Sequence, residues 1–233
     1  MPEHPIRLDG LPDIPVTRHA RSRGIRLKHS QTSGQFRISA APHVSRAEIR
    51  AFVEAHKNWI QRRASRPVQR TPFEAGRSIP ILDRAHVITP DPAVRRPYHH
   101  DGRLWLPANA DVPARTLSYL KQLAYDHLSM LSRQHYDRLR PPIAYKRMAI
   151  RDQKSRWGSC SRSGTLSYNW RIIMAPWYVV DGLAAHEVAH FKHMDHSPAF
   201  WATCRWLCAD TDQAEAWLKA HGTKLMRYGP PQT

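Results

Sequence analysis

HEVAHFKHMDHSPAF, residues 186–200, places four histidines within eleven positions: His186, His190, His193 and His196. The first five residues fit H-E-x-x-H. On a helix, positions i and i+4 lie on one face a turn apart, so the imidazoles of His186 and His190 reach one ion while Glu187 projects beside them. The surrounding run VVDGLAAHEVAHF (179–191) is apolar, so the helix is buried on at least one side. Two imidazoles and a carboxylate left unpaired there would be costly. A metal site is the economical reading.

The third ligand decides how the chain runs. On a continued helix His193 would share the face of His186, yet it would stand about 10.5 Å further along the axis. Nitrogens bound to one zinc lie at most about 4 Å apart. The helix is not expected to continue, because Pro198 disfavours helical geometry at Ser197. Ser197-Pro198 reads as an N-cap followed by proline at the first position of a new helix. A break between about 192 and 197 frees His196 to turn back, so the expected ligands are His186, His190 and His196. His193 is expected to support a ligand or to lie on the surface. Three neutral histidines with an open fourth position form a catalytic zinc arrangement, with Glu187 as general base. Zinc is the expected ion, one per chain, although imidazole ligands also suit nickel, copper or iron.

Outward from this stretch, the chain reads as α+β. Residues 1–13 read as a loose tail. Residues 14–112 form a basic strand-and-helix part with an irregular connection, and 113–233 form the core that carries the metal site. Short alternating segments from Ile14 to Ala40 predict two or three strands. Ser45 followed by Glu48 is a capping-box pattern, opening a helix that ends before Pro67. Leu117, Leu120, Leu123 and Leu131 recur at helical spacing and predict one long helix over 113–137. Strands are predicted at 144–151 and 165–173, and helices near 176–192, 198–208 and 211–224.

The 233 residues carry a net charge of +17. That balance favours polyanionic partners, nucleic acid among them, unless the arginines simply solvate the surface. Three cysteines with no regular spacing argue against a disulfide framework and for a reducing compartment. With no apolar leader run at the N-terminus and no stretch long enough to span a bilayer, the reading is cytoplasmic with no membrane span.

HEVAHFKHMDHSPAFW (186–201), preceded by KSRWGSC (154–160) and LSYNWRIIMAP (166–176), resembles the YgjP-like metallopeptidase family, and the SprT-like zinc proteases share its H-E-x-x-H core. The resemblance extends to residues 18–65. It implies a zincin-like core, with the H-E-x-x-H helix packed on a small sheet. It also implies metal ligands at His186, His190 and His196, and a catalytic glutamate at Glu187. Val188 and Asp195 stand where leucine and asparagine are usual. The substrate implied is a peptide. Nucleoside triphosphate pyrophosphohydrolysis (UTP-type) at the same metal site, attached to some members, is an alternative, and a DNA-associated protease or nucleic-acid-binding protein is another. In the second motif, Arg156 or Lys154 is a candidate contact for a phosphate or developing oxyanion. Trp157 and Gly158 read more simply as core filler and turn. Cys160 is disfavoured as a nucleophile, Cys204 and Cys208 read as core, and Asn169 either lines the site or caps a strand.

Overall fold

The computed structural model describes residues 3–30, 34–65, 70–109 and 111–229. Contacts divide the chain into two units, Met1–Gln69 and Arg70–Thr233. Among the described residues it is a mixed α+β protein with six α-helices and three small sheets.

The first unit holds β1 (Glu3–Ile6), β2 (Ile14–Arg18), β3 (Ile25–His29) and β4 (Phe36–Ala40), in the order β1-β2-β4-β3. Side chains alternate with period two along a strand. Ile14 and Val16 are buried while Pro15 and Thr17 are exposed, and Phe36, Ile38 and Ala40 are buried with Arg37 exposed. The buried face packs with Ile49 and Val53 of α1 (Arg46–Ala55) and Ile60 of α2 (Lys57–Ala64). Both halves of the Ser45–Glu48 capping box are formed.

Two expectations differ here. Residues 1–13 are not uniformly loose: Glu3–Ile6 pairs with β2 and Ile6 is buried, whereas Met1 and Pro2 lie outside the described residues. A single isoleucine among prolines and charges gave no alternation to read. The single helix expected after Ser45 is broken at His56, whose Nδ1 lies 2.8 Å from the Phe52 carbonyl oxygen and whose ring stacks on Phe52.

In the second unit, β5 (Ser78–Ile81), β6 (Arg84–Asp91), β7 (Tyr98–His100) and β8 (Arg103–Pro107) form a sheet of order β5-β6-β8-β7. Two two-residue turns close its hairpins. Leu82-Asp83 and Asp101-Gly102 all have positive φ, the geometry that matches the strands' right-handed twist. In that turn the Leu82 N–H donates to Ile173 O at 2.8 Å. The boundary expected near 113 falls at 69/70 instead. Phe73, Ile79, Ile81, Ile88, Leu104 and Leu106 share one buried cluster with Leu120, Leu128 and Val179.

The long helix α3 (Val112–Leu139) is capped by the Asp111 carboxylate and ends at Arg140 in the left-handed conformation, just before Pro141. The third sheet, β9 (Arg147–Arg151), β10 (Gly158–Cys160) and β11 (Thr165–Asn169), has β11 at its centre. The strand expected to reach 173 stops at Asn169. Its side chain accepts from Arg171 N and starts a 3₁₀ turn, Trp170–Met174. Gly164 closes the β10–β11 turn at φ +83, and a Cβ there would lie 2.0 Å from Ala144 O. Gly164→Ala is therefore expected to cost about 2–4 kcal/mol, combining a left-handed backbone with a clash. Calorimetry should show a lower Tm, and an unchanged melt would refute this packing.

The helices α4 (Trp177–Ala189), α5 (Pro198–Leu207) and α6 (Thr211–Leu225) complete the unit. α4 is buried nearly all round, packed against α3, α6 and β10. Gly182 permits the approach of α6, since a Cβ there would meet Ala214 Cβ at 2.5 Å. No helix among the described residues is long and apolar enough to cross a membrane.

Candidate metal centre

α4 ends one residue before His190, which already serves as its C-cap. The chain turns through 191–196, and α5 is capped by Ser197, whose hydroxyl accepts from Phe200 N at 3.3 Å. The break thus comes two residues earlier than the sequence implied. It folds His196 back onto the last turn of α4, where ligand nitrogens of His186, His190 and His196 all lie within 4.8 Å of one another. His196 Nε2 is 3.3 Å from His186 Nε2.

The ring of His193 is not among the converging nitrogens. Its backbone carbonyl, however, accepts from His190 Nδ1 at 2.9 Å. That bond fixes the tautomer and leaves the His190 Nε2 lone pair free, the usual outer support of a metal-binding histidine. Beneath the three imidazoles lies Phe200, fully buried, with its ring centroid 4.5–4.9 Å from each of theirs. Trp201 flanks His186 and His196. Burial, aided by the neighbouring histidines, lowers the His186 pKa to about 4, and burial also lowers that of His190. Both rings are neutral at pH 7 and hold lone pairs for a cation.

Glu187 is 4% exposed, and its Oε2 has no hydrogen-bond partner. Burial pushes its pKa up to about 8, against the pull of the Arg156 charge. The carboxylate lies against Gly158 of β10, where a Cβ would come within 2.3 Å of Oε1. A cavity of about 440 Å³ opens beside it. His186, Glu187, Trp157, Leu183, Trp201 and Leu218 contribute to its wall, with Glu215 and Lys219 as further charged groups.

Lys154 and Arg156 are exposed and neither lines this cavity. Trp157 does, and it rests on α6 at Gly222. Asn169 holds this segment from behind: its N–H donates to Trp157 O at 2.8 Å, and its side-chain amide donates to Gln153 O at 2.6 Å. Cys160 and Cys204 are pushed up to about 12, chiefly by burial, so neither is a thiolate at neutral pH. Sequence reasoning missed the backing by Phe200 and the α6 wall. The helical spacing of α6 carries no sign of which face meets the site.

Convergent imidazoles beside a buried carboxylate form a donor set that could hold a metal ion next to a proton-accepting group. Comparison with family models supplies the class: the YgjP-like metallopeptidase domain matches residues 23–221, and the chain belongs to that family, one of metal-dependent hydrolases. No curated protein and no solved structure matches the chain.

Proposed function

We propose that the protein is a zinc-dependent hydrolase of metallopeptidase type with a zincin-like core. His186, His190 and His196 are the metal ligands and Glu187 is the general base. The observation that carries this reading is the 3.3 Å approach of the His186 and His196 Nε2 atoms, with His190 beside them. Nitrogens sharing one tetrahedral zinc at its usual bond length stand roughly 3.4 Å apart. A set of imidazoles without a carboxylate suits zinc better than magnesium.

A bound zinc ion supplies a Lewis acid and acidifies water. Glu187 accepts a proton on its free Oε2 and returns it to the departing amine. A pKa raised toward neutrality serves both directions of transfer. Arg156 favours the ionised form of that carboxylate through its charge, from a position outside the cavity wall. The cavity supports a peptide substrate, because Trp157, Leu183, Trp201 and Leu218 suit a bulky apolar side chain. A triphosphate calls for several unopposed cations, whereas Lys219 shares this wall with Glu215.

Metal analysis and paired assays test the reading. The purified protein should hold about one zinc ion and cleave peptides with a bulky apolar residue beside the scissile bond. Hydrolysis of nucleoside triphosphates with no peptide cleavage would overturn the substrate assignment. His196→Ala should lose the metal, whereas His193→Ala should keep it, because the support to His190 comes from the backbone carbonyl. The reverse pattern would sink the ligand assignment.

A further inference from the structure

The first unit has thirteen Lys and Arg against five Asp and Glu over residues 1–69. Their placement is uneven. On the sheet face away from α1 and α2, Arg26 and Lys28 of β3 and Arg37 of β4 are all exposed. The antiparallel register sets Lys28 directly opposite Arg37. Like charges facing across a ladder destabilise a sheet, so folding gains nothing from this pair. A polyanion laid on the face would relieve the repulsion.

The turn that follows β2 adds Arg21 and Arg23 to the same side. With His19, Arg26 and Lys28 they line a cavity of about 540 Å³ that contains no Asp or Glu. The turn is held in place: Ser22 N donates to His19 O at 2.9 Å, His19 N to Ala40 O at 3.0 Å, and Ala41 N to Gly24 O at 3.1 Å. Ion pairs and caps of the unit's acids form elsewhere, as in Arg7–Asp13, Lys57–Glu54 and the Ser45–Glu48 box.

We propose that this face binds the phosphate backbone of double-stranded nucleic acid, independently of sequence. Cations two apart on a strand stand about 6.8 Å from each other, and neighbouring strands run about 4.8 Å apart. The result is a rigid grid of charge, and a duplex presents one phosphate charge per roughly 1.7 Å of axis. On β2, β3 and β4 the outer-face positions Pro15, Thr17, Arg26, Lys28, Arg37 and Ser39 carry no Phe, Tyr or Trp, and the cavity's lining adds one small ring, that of His19. Single strands therefore find no stacking platform, and a bilayer finds no bulky apolar anchor of the kind that surface-lying helices insert. Contacts of this type position a duplex without reading its bases.

The test is fluorescence anisotropy of the full chain with a labelled mixed-sequence duplex between 25 and 200 mM salt. Five phosphate contacts predict a log–log slope of about −4 to −5. R26Q/K28Q should lower the magnitude of that slope by about two and weaken binding at least tenfold at about 100 mM salt. Its melting temperature should not fall, since like-charge repulsion is removed. R50Q/R62Q changes net charge equally, from helices α1 and α2, and should keep affinity within about threefold. Three results would each overturn the proposal: no duplex binding at 25 mM salt, equal losses in the two double variants, or tighter binding to single strands or anionic phosphatidylserine vesicles than to duplex. None depends on the hydrolase reading, because the assay needs no turnover.

Discussion

Glu187→Gln should leave the metal content unchanged and reduce kcat by about a thousandfold, within the range ascribed to a positioned general base. The amide is the same size as the carboxylate, so the tight fit against Gly158 survives while the proton-accepting oxygen is lost. A second readout separates the proton from the packing. In the metal-free protein burial pushes the Glu187 pKa up to about 8, so at pH 7 the carboxyl is mostly protonated. A dication bound by the adjacent His186 favours the carboxylate and lowers that pKa. Metal binding at pH 7 should then release nearly one proton, and apparent metal affinity should rise as pH increases toward 8. Calorimetric titration in buffers of different ionisation enthalpy reads that proton directly. Glu187→Gln should lower the release by the share that its carboxyl contributes, leaving any from metal-bound water, and a variant that retained both turnover and the full release would remove Glu187 from its assigned role.

Gly158→Ala is the second large effect. The added Cβ would stand 2.3 Å from Glu187 Oε1 and 2.6 Å from Cδ and Cγ. A buried glutamate has little room to withdraw, so either its rotamer or the β10 backbone must shift. Overpacking of this kind costs about 1–3 kcal/mol, and a misplacement of roughly 1 Å lowers kcat about a hundredfold. Metal content should persist, because no ligand is touched. A Gly158→Ala protein with unaltered kcat and Tm would show that the glutamate is not held against that strand.

Much of the site was legible because its signals are local. H-E-x-x-H is a spacing on one helix, and Ser197-Pro198 is a break written in two residues. Together they single out His196 over His193, and the structure brings the His196 ring to the other two. What a spacing argument leaves out is the backbone. The carbonyl of His193 supports His190, so a residue whose side chain stands apart still contributes through its main chain. In the sequence Gly158 and Trp157 suggest a turn and core filler, and their position against Glu187 and the cavity depends on β10 lying beside α4. That pairing is long-range and has no periodicity to announce it. For the same reason the sequence alone does not tie the β5–β8 segment to the helices that follow it. Its apolar residues are plain in the sequence, but their burial with α3 is a tertiary choice. One hairpin signal, Asp101-Gly102, was available and is the commonest chemistry for a two-residue turn.

The glycines of α4 and α6 have a thermodynamic consequence for whatever enters the cavity. Gly182 lets Ala214 close to contact, and Gly222 receives the indole of Trp157. At these two points the spacing is set by how near backbone and neighbour lie, while Leu218, Glu215 and Lys219 complete the wall with side chains. The part of the cavity set by these two glycines is preformed. An incoming side chain surrenders its own torsional freedom, but the protein surrenders little, so the entropy cost of recognition falls mainly on one partner. Selectivity there should follow the shape of the guest more than any adaptation by the host.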